Sequence, residues 1–199
     1  MTIIVTSTSA PLYDYTALKT AVASWLHRAD LESKIPDFIT LAEAKFNRAL
    51  RVEEMVSVHS ATAADSAITL PTDYLEAISL EVAGNAYDFR PASVFFELEG
   101  RYYTRRGNQL VLADAGGDVT LHYYAQIPGL STGNPSNWLL EKAPDLYLYS
   151  ALLEAAPYIK DDARLAVWGS ARQAVLDAIQ SANDASRYSG RALTISIAR

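Results

Sequence analysis

The chain has 199 residues, of which half are hydrophobic and a fifth are charged, and its formal net charge is −6. This composition is typical of a folded globular protein, and the acidic balance disfavours a duplex DNA binder, because nonspecific phosphate contacts need clustered lysine and arginine. The absence of cysteine excludes a disulfide framework, a thiolate metal site and a cysteine nucleophile.

The N-terminal segment carries no export or membrane signal. Residues 1–13 are rich in threonine, serine and β-branched residues, which predicts an extended arm. The segment lacks the basic region and the apolar core of a signal peptide, and no apolar run in the chain is long enough to cross a bilayer. We therefore expect an unexported chain with no membrane partner.

Two amphipathic helices are predicted before residue 54. The first runs from Asp14 to about Ala29, with Asp14 or Thr16 as its N-cap. The second begins at Ile35, with Pro36 in its first turn, and ends near Glu53. The expected core positions are Leu18, Val22, Trp25 and Ala29 in the first helix and Ile39, Ala42, Phe46 and Leu50 in the second. The second helix also carries Asp37, Thr40, Glu43, Asn47, Arg48 and Arg51, which are expected largely outside the core.

From Met55 the apolar period changes from helical to alternating, which predicts a β-rich lobe over residues 55–130. The expected buried positions are Val56 and Val58, then Ile78, Leu80 and Val82, then Val119, Leu121 and Tyr123. Ser57 and His59 are expected on the solvent face. The pairs Gly84-Asn85, Gly107-Asn108 and Gly116-Gly117 predict turns, and a helical turn is expected within residues 92–98. We interpret the lobe as an antiparallel meander or a small barrel-like sheet.

Residues 137–159 predict a central helix, because leucine and tyrosine occupy nearly every side of it, as in a helix enclosed by others. Pro144 with Asp145 suits a first turn, and Pro157 closes or kinks the helix. A last helix is expected from Lys160 to about Ser186. Its expected apolar positions are Leu165, Trp168, Val175, Ile179 and Ala182.

Together these elements predict an α+β fold. About four helices, contributed by both ends of the chain, are expected to form a bundle with an inserted antiparallel β-rich lobe and extended termini. The expected segments of this single structural unit are residues 1–54, 55–130, 131–189 and 190–199.

No group of residues forms a recognised catalytic or metal motif. His27, His59 and His122 are widely spaced, and Asp161 with Asp162 is explained by the charge preference of a helix N-terminus. The sequence has no nucleophile elbow, phosphate-binding glycine loop or dinucleotide fingerprint. We therefore predict no enzymatic activity, no cofactor and no metal.

Three groups of residues are candidates for contact with a partner or another subunit. Asn47, Arg48 and Arg51 share one helical face by spacing, where they could bind an acidic partner or a phosphate backbone, or simply complement the helix dipole. In Tyr102-Tyr103 and Tyr123-Tyr124 one ring of each pair is expected in the core and the other exposed, with Tyr102 and Tyr124 as the interface anchors. The tail after Gly190 alternates Leu193, Ile195 and Ile197 with polar residues, which predicts a strand that pairs with a sheet edge of its own or a neighbouring subunit.

One series of short motifs extends over most of the chain. It comprises Ile35-Pro36, Phe38-Ile39, Leu41-Ala42-Glu43, Asn47-Arg48, Leu50-Arg51, Leu70-Pro71, Asp73-Tyr74, Tyr123-Tyr124, Asn137-Trp138-Leu139-Leu140 and Ala143-Pro144-Asp145-Leu146-Tyr147-Leu148-Tyr149. In this order the motifs resemble the head-to-tail adaptor, or head-completion connector, proteins of tailed bacteriophages.

The resemblance implies a virion structural protein of the neck that is synthesised in the host cytoplasm and is not an enzyme. It implies a homo-oligomeric ring, twelvefold, that binds the portal protein, extends the DNA channel and docks tail, nozzle or stopper proteins. Genomic DNA would pass through without sequence-specific binding. A ring needs two different contact surfaces on each subunit, and the Ser57/His59 sheet face and the terminal arms are the expected ones.

Three alternatives to this interpretation stay open. A tail-completion or tail-terminator protein of the same virion fits the same motifs. A small nucleic-acid-binding or regulatory module would use Asn47, Arg48 and Arg51, and an enzyme would need a site that the motifs do not reveal.

Overall fold

The computed structural model describes residues 12–63, 65–96, 99–114, 117–159 and 163–188. The chain divides into two compact units, one formed by Met1–Leu50 with Ile127–Arg199 and the other by Arg51–Gln126. The first unit contains five of the six α-helices found among the described residues, and the second contains a seven-stranded sheet and one short helix. The prediction of a mixed α+β fold is therefore confirmed. The N-terminal residues 1–11, Gly116, Asp161, Asp162 and the tail residues Leu193, Ile195 and Ile197 lie outside the described residues.

The described elements follow one another along the chain as helices, then strands, then helices. They are α1 (Tyr15–Leu26), α2 (Ile35–Ala49), β1 (Val56–Thr62), β2 (Ala67–Thr69), β3 (Tyr74–Val82), β4 (Asn85–Phe89), α3 (Ala92–Phe95), β5 (Tyr102–Arg106), β6 (Gln109–Leu112), β7 (Asp118–Ala125), α4 (Trp138–Lys142), α5 (Pro144–Glu154) and α6 (Arg164–Tyr188), with short 3-10 helices at Ala29–Lys34, Glu53–Met55 and Ala156–Tyr158.

Helices α1 and α2 begin where the sequence predicts and end earlier. Asp14 is the N-cap of α1, since its carboxylate accepts a hydrogen bond from the Ala17 N–H at 2.8 Å. Helix α1 stops at Leu26 because His27 adopts a left-handed conformation with φ of 51°. Trp25, predicted in the core, is 42% exposed. Helix α2 ends at Ala49 rather than near Glu53, and its four predicted core residues are all buried.

The prediction of one central helix over residues 137–159 is wrong. The segment forms α4 and α5, separated at Ala143, whose φ and ψ are −139° and 65°. Proline disfavours helical geometry at the residue before it and has no N–H to continue the hydrogen bonding, so Pro144 starts a new helix. Helix α5 contacts α1, α2 and α6, which explains why it is apolar on nearly every side.

Helix α6 is amphipathic only in part. Trp168 and Leu176 are buried, whereas Leu165, Val175 and Ile179 are half-buried and Ala182 is exposed. Helix α6 contacts α5, and the two buried side chains of α6 lie no further along it than Leu176.

The strand order of the sheet is β1-β7-β3-β4-β5-β6-β2. This order is not that of a meander, because β1 pairs with β7 and β2 with β6. The prediction of an entirely antiparallel lobe is also wrong, since β4 and β5 pair in parallel through Asp88 with Tyr102 and Phe89 with Tyr103. Residues 90–101, including α3, connect these two strands, and a connection of about a dozen residues is long enough for a parallel crossover.

Strand β1 presents the opposite face to the one predicted. Its register places His59 opposite Leu121 and Ser57 opposite Tyr123, and both partners belong to the buried core of the sheet. Directly paired residues point to the same face, so Ser57 and His59 lie on the core side and Val58 on the other, where it is 55% exposed. On β3, Leu80 and Val82 are buried as predicted, but Ile78 is 45% exposed beside a register shift.

Two predicted hairpin turns are present. The β5–β6 turn has Gly107 with φ of 61° between the paired Arg106 and Gln109. In the β3–β4 turn the positive φ angles belong to Ala83 (47°) and Gly84 (76°), one residue earlier than the predicted pair. Both turns join adjacent antiparallel strands, as tight hairpins do.

Two glycines that have open space around them should respond oppositely to alanine. A Cβ at Gly84 or at Gly169 would meet no atom within 4 Å, so only the backbone conformation differs. Gly84→Ala should lower the free energy of unfolding by about 1–2 kcal/mol, because a side chain is strained at positive φ. Gly169→Ala, within α6, should raise it by about 0.5–1 kcal/mol. Urea unfolding of both variants is the measurement, and shifts of the same sign would contradict this account.

Candidate interaction surfaces

A buried chain of hydrogen bonds crosses the first unit. The Tyr147 hydroxyl on α5 donates to Glu43 Oε1 on α2 at 3.2 Å and accepts from Asn137 Nδ2 at 2.7 Å. Tyr147 is fully buried, and Glu43 and Asn137 are each 7% exposed. The expectation that Glu43 lies outside the core is therefore wrong.

The same side chains hold the backbone of the segment that precedes α4. The Leu130 N–H donates to Glu43 Oε1 at 2.7 Å, and Asn137 Nδ2 donates to the Pro128 carbonyl at 2.7 Å. Asn137 Oδ1 also accepts from the Leu140 N–H at 2.8 Å, which makes Asn137 the N-cap of α4. Because buried polar groups are costly when they are unpaired, these bonds specify one conformation of the segment.

The electrostatics of this network follow from its burial. Loss of water contact raises the pKa of the Glu43 carboxyl above its usual range, although the hydrogen bonds from Leu130 and Tyr147 act in the opposite direction. Burial is also the main cause that raises the pKa of the Tyr147 hydroxyl. The network is enclosed by groups of the chain itself and acts as an internal clamp.

Asn47, Arg48 and Arg51 do not form the predicted helical face. Asn47 Oδ1 accepts from the Ile127 N–H at 2.8 Å, so its side chain holds the backbone of the first unit where the chain returns from the sheet. Arg48 is exposed in the last turn of α2. Helix α2 ends before Arg51, whose Nε donates to Glu76 Oε2 at 2.9 Å within the second unit.

The two tyrosine pairs differ in burial. On β5, Tyr103 is 5% exposed and Tyr102 is half-buried beneath the Arg90 guanidinium, 4.8 Å from the ring centre. On β7, Tyr123 is 4% exposed and Tyr124 only 9% exposed, so the prediction that one of these two rings is exposed is wrong. The Arg51 guanidinium lies 5.9 Å from the Tyr124 ring centre on its face.

An open groove of about 610 Å³ lies in the second unit and is lined by residues of β3, β4, β5 and β6. Leu80, Tyr103 and Leu110 provide buried apolar surface in it, and Ile78 and Phe89 are exposed at 45% and 52%. Sequence reasoning missed this groove, because it depends on how far the pairing of β3 and β4 extends.

The open side of the groove follows from that pairing. Strand β4 pairs with β3 only over residues 80–82 of β3. The preceding residues 74–79 lie beside β7 on one side, where their pairing has two register shifts, and no strand among the described residues pairs with their other side. One edge of β3 is therefore exposed beside an apolar groove, which is the arrangement that added strands recognise.

A second groove, of about 730 Å³, lies along α1 and the 3-10 helix Ala29–Lys34 in the first unit. Its lining is mixed in charge, with Lys19, His27, Arg28 and Glu32 among its residues. The Arg28 guanidinium is held by the Asp30 carboxylate at 2.7 Å. This groove is lined by residues of helices and of the turn that joins two of them, so it offers no unpaired strand edge, unlike the groove of the second unit.

Comparison with known families decides the identity of the chain. The family model described as SU10 adaptor protein matches residues 13–195, which is most of the chain. The chain belongs to this phage adaptor family. The resemblance to phage head-to-tail adaptors, stated above on sequence motifs, is thereby confirmed. No curated protein matches the chain.

As an SU10-type adaptor, the protein is a bacteriophage virion component of a structural family that is generally not enzymatic. Where the structure describes the chain, no helix is both long and apolar enough to cross a membrane. In the same residues no three histidine, aspartate or glutamate side chains are grouped as metal ligands. His59 and His122 lie on adjacent strands but on opposite faces of the sheet, since His59 pairs with Leu121.

Sequence reasoning missed the clamp of the adaptor, although two signals for it were present. Glu43 is spaced four residues after Ile39 and three before Phe46, so it shares their buried face of α2. Asn137 immediately precedes a leucine-rich helix, where asparagine is a preferred N-cap. Neither signal reveals that Tyr147 joins the two side chains, because that contact is tertiary.

Proposed function

We propose that this adaptor forms a twelvefold homo-oligomeric ring at the neck of the virion. The ring binds the portal protein on one side, docks tail, nozzle or stopper proteins on the other, and extends the channel through which genomic DNA passes. The observation that carries the proposal is the family match over residues 13–195.

The exposed apolar side chains are compatible with such an assembly. In the second unit Phe89, Val94 and Phe96 are 52%, 43% and 69% exposed within a short stretch of chain. In the first unit Leu41 and Val167 are 51% and 67% exposed. A ring of identical subunits joins one surface of a subunit to a different surface of the next one. Exposed apolar side chains at separate places in the chain are compatible with two such surfaces.

The charge and the remaining candidate residues fit the same role. A net charge of −6 keeps a channel wall from holding passing DNA by attraction. Under this proposal the helices of the first unit act as a rigid bundle, residues 190–199 act as a separate arm, and Arg48 and Tyr102 contact the portal or a neighbouring subunit. Arg51 and Tyr124 are the further candidates in the second unit, where the Arg51 guanidinium lies 5.9 Å from the Tyr124 ring centre.

The test is to mix the purified adaptor with its cognate portal and, separately, with tail proteins, and to image the products by electron microscopy. We expect discrete rings that cap the portal, with portal alone and adaptor alone as the controls. An adaptor that binds neither the portal nor any tail protein would overturn the proposal. Rings that cap tail tubes and ignore the portal would overturn the portal-side placement and support a tail-completion or terminator protein.

A further inference from the structure

We propose that the groove of the second unit receives the C-terminal tail, residues 191–199, of a neighbouring copy of this chain as an added β-strand. The inference rests on the proposed ring, because only an assembly brings a second copy to the groove. It goes beyond the ring by naming the two surfaces that join its subunits.

The backbone of β3 offers the first half of this contact. Within residues 74–79, four residues pair with β7, and the register shifts between Tyr74 and Glu76 and between Ala77 and Ser79. The same stretch lines the groove, beside the part of β4 that pairs with β5. Strand addition uses such an edge, because the backbone hydrogen bonds supply affinity that does not depend on side-chain identity. An exposed edge is otherwise a liability that folded proteins cover or block.

The apolar side chains offer the second half. Leu193, Ile195 and Ile197 alternate with Thr194 and Ser196, so in an extended strand the three apolar residues point to one face. They would cover about 13 Å along that face, at the usual rise of a strand. Ile78 and Phe89, which are 45% and 52% exposed, provide the accessible apolar surface of the groove that would receive them. The buried side chains of Leu80, Tyr103 and Leu110 also line the groove.

Length and charge are consistent with the same occupant. Eleven residues follow Tyr188 in the sequence, and an extended chain of that length reaches about 35–40 Å.

The tail carries Arg191 and Arg199 and no acidic side chain. The groove is lined by two carboxylates, Glu76 and Asp88, and one guanidinium, Arg105. Glu76 and Asp88 already bind Arg51 and Arg90, but a carboxylate accepts several hydrogen bonds and can bind a second cation.

Cysteine crosslinking tests the contact in the full chain, which contains no native cysteine. Ile78→Cys is made in one preparation and Ile195→Cys in another, and the two are mixed during assembly on the cognate portal and then mildly oxidised. We expect disulfide-linked dimers on a non-reducing gel, because a disulfide requires Cα atoms about 4.4–6.8 Å apart.

Two matched controls identify the faces involved. Ile78→Cys mixed with Thr194→Cys tests the other face of the tail. Val58→Cys mixed with Ile195→Cys tests a strand residue outside the groove that is 55% exposed, against 45% for Ile78. Both mixtures should give at least tenfold less crosslinked dimer. Deletion of residues 190–199 should leave the urea unfolding curve unchanged and reduce the yield of rings.

Each other outcome overturns the inference in a distinguishable way. Rings that form without crosslinks above the controls would show that the tail binds elsewhere and leave the proposed function standing. A double variant with both cysteines that crosslinks only within single chains would show that the tail occupies its own groove. Crosslinks from Ile195→Cys to the portal or a tail protein would assign the tail to that partner. If the unmodified chain forms no ring with the portal, the proposed function fails and this inference fails with it.

Discussion

Asn137→Ala should lower the free energy of unfolding by about 2–4 kcal/mol. This loss adds the cost of removing a helix N-cap to the cost of leaving buried polar groups without hydrogen-bond partners. The Asn137 side chain makes three hydrogen bonds, to the Leu140 N–H, the Pro128 carbonyl and the Tyr147 hydroxyl. Alanine makes none of them, and the bonds to the Leu140 N–H and the Tyr147 hydroxyl are buried, so water does not replace them. The measurement is urea unfolding followed by far-ultraviolet circular dichroism.

Asp14→Ala is the matched control, because Asp14 caps α1 in the same way but is exposed. That variant should cost only about 1 kcal/mol, since water replaces the lost acceptor. Equal losses for the two variants would show that the buried bonds of Asn137 contribute nothing beyond the cap.

Glu43→Ala should also cost about 2–4 kcal/mol near neutral pH, because it leaves two buried donors without an acceptor. The donors are the Leu130 N–H and the Tyr147 hydroxyl, which both bond to Glu43 Oε1. Thr40→Ala is the matched control on the exposed side of the same helix, where the hydroxyl bonds only to the Pro36 carbonyl. A loss for Glu43→Ala no larger than that for Thr40→Ala would contradict the role of the clamp.

The same carboxyl should make stability depend on pH. Burial raises the pKa of Glu43 above its ordinary value of 4.5, so the folded chain holds this proton more tightly than the unfolded chain does. The stability contributed by the protonated group is fully present below the unfolded pKa and is lost as pH rises through the folded pKa.

Glu43→Gln isolates that dependence, because the amide keeps an acceptor oxygen and does not ionise. The free energy of unfolding of the glutamine variant, minus that of the native chain, should rise with pH above about 4.5 and level off once the native carboxyl is ionised. Unfolding curves for both proteins at several pH values give this difference. A difference that is constant with pH would contradict the raised pKa.

Several features of the adaptor were predictable because their causes are local. Asp14 caps the helix that begins at the next residue, and Pro144 occupies the first turn of α5. Gly107 supplies the positive φ of its hairpin. The alternation on β7 also predicted its buried face, through Val119, Leu121 and Tyr123. Each signal acts through sterics or hydrogen bonds within a few residues.

The errors about β1 and Glu43 have a different cause, because each depends on a partner that is distant in the chain. The alternation of β1 predicts that its valines are core residues, but its register with β7 turns Ser57 and His59 inward instead. A shift of one residue in register exchanges the faces of a strand, so the strand alone does not determine its buried side. The sequence predicts Glu43 outside the core, because its acceptor role depends on Tyr147, which lies 104 residues later in the chain.

By itself, the sequence determined the family, the mixed α+β class and the start of most helices. The order of motifs, the apolar periods and the capping residues can all be identified without knowing which segments are in contact. Only the tertiary structure decided which face of β1 is buried, that β4 and β5 pair in parallel, and that an edge of β3 stays open beside a groove. Strand register and pairing are fixed by contacts between segments far apart in the chain, and the energies of those contacts depend on packing that no local pattern contains.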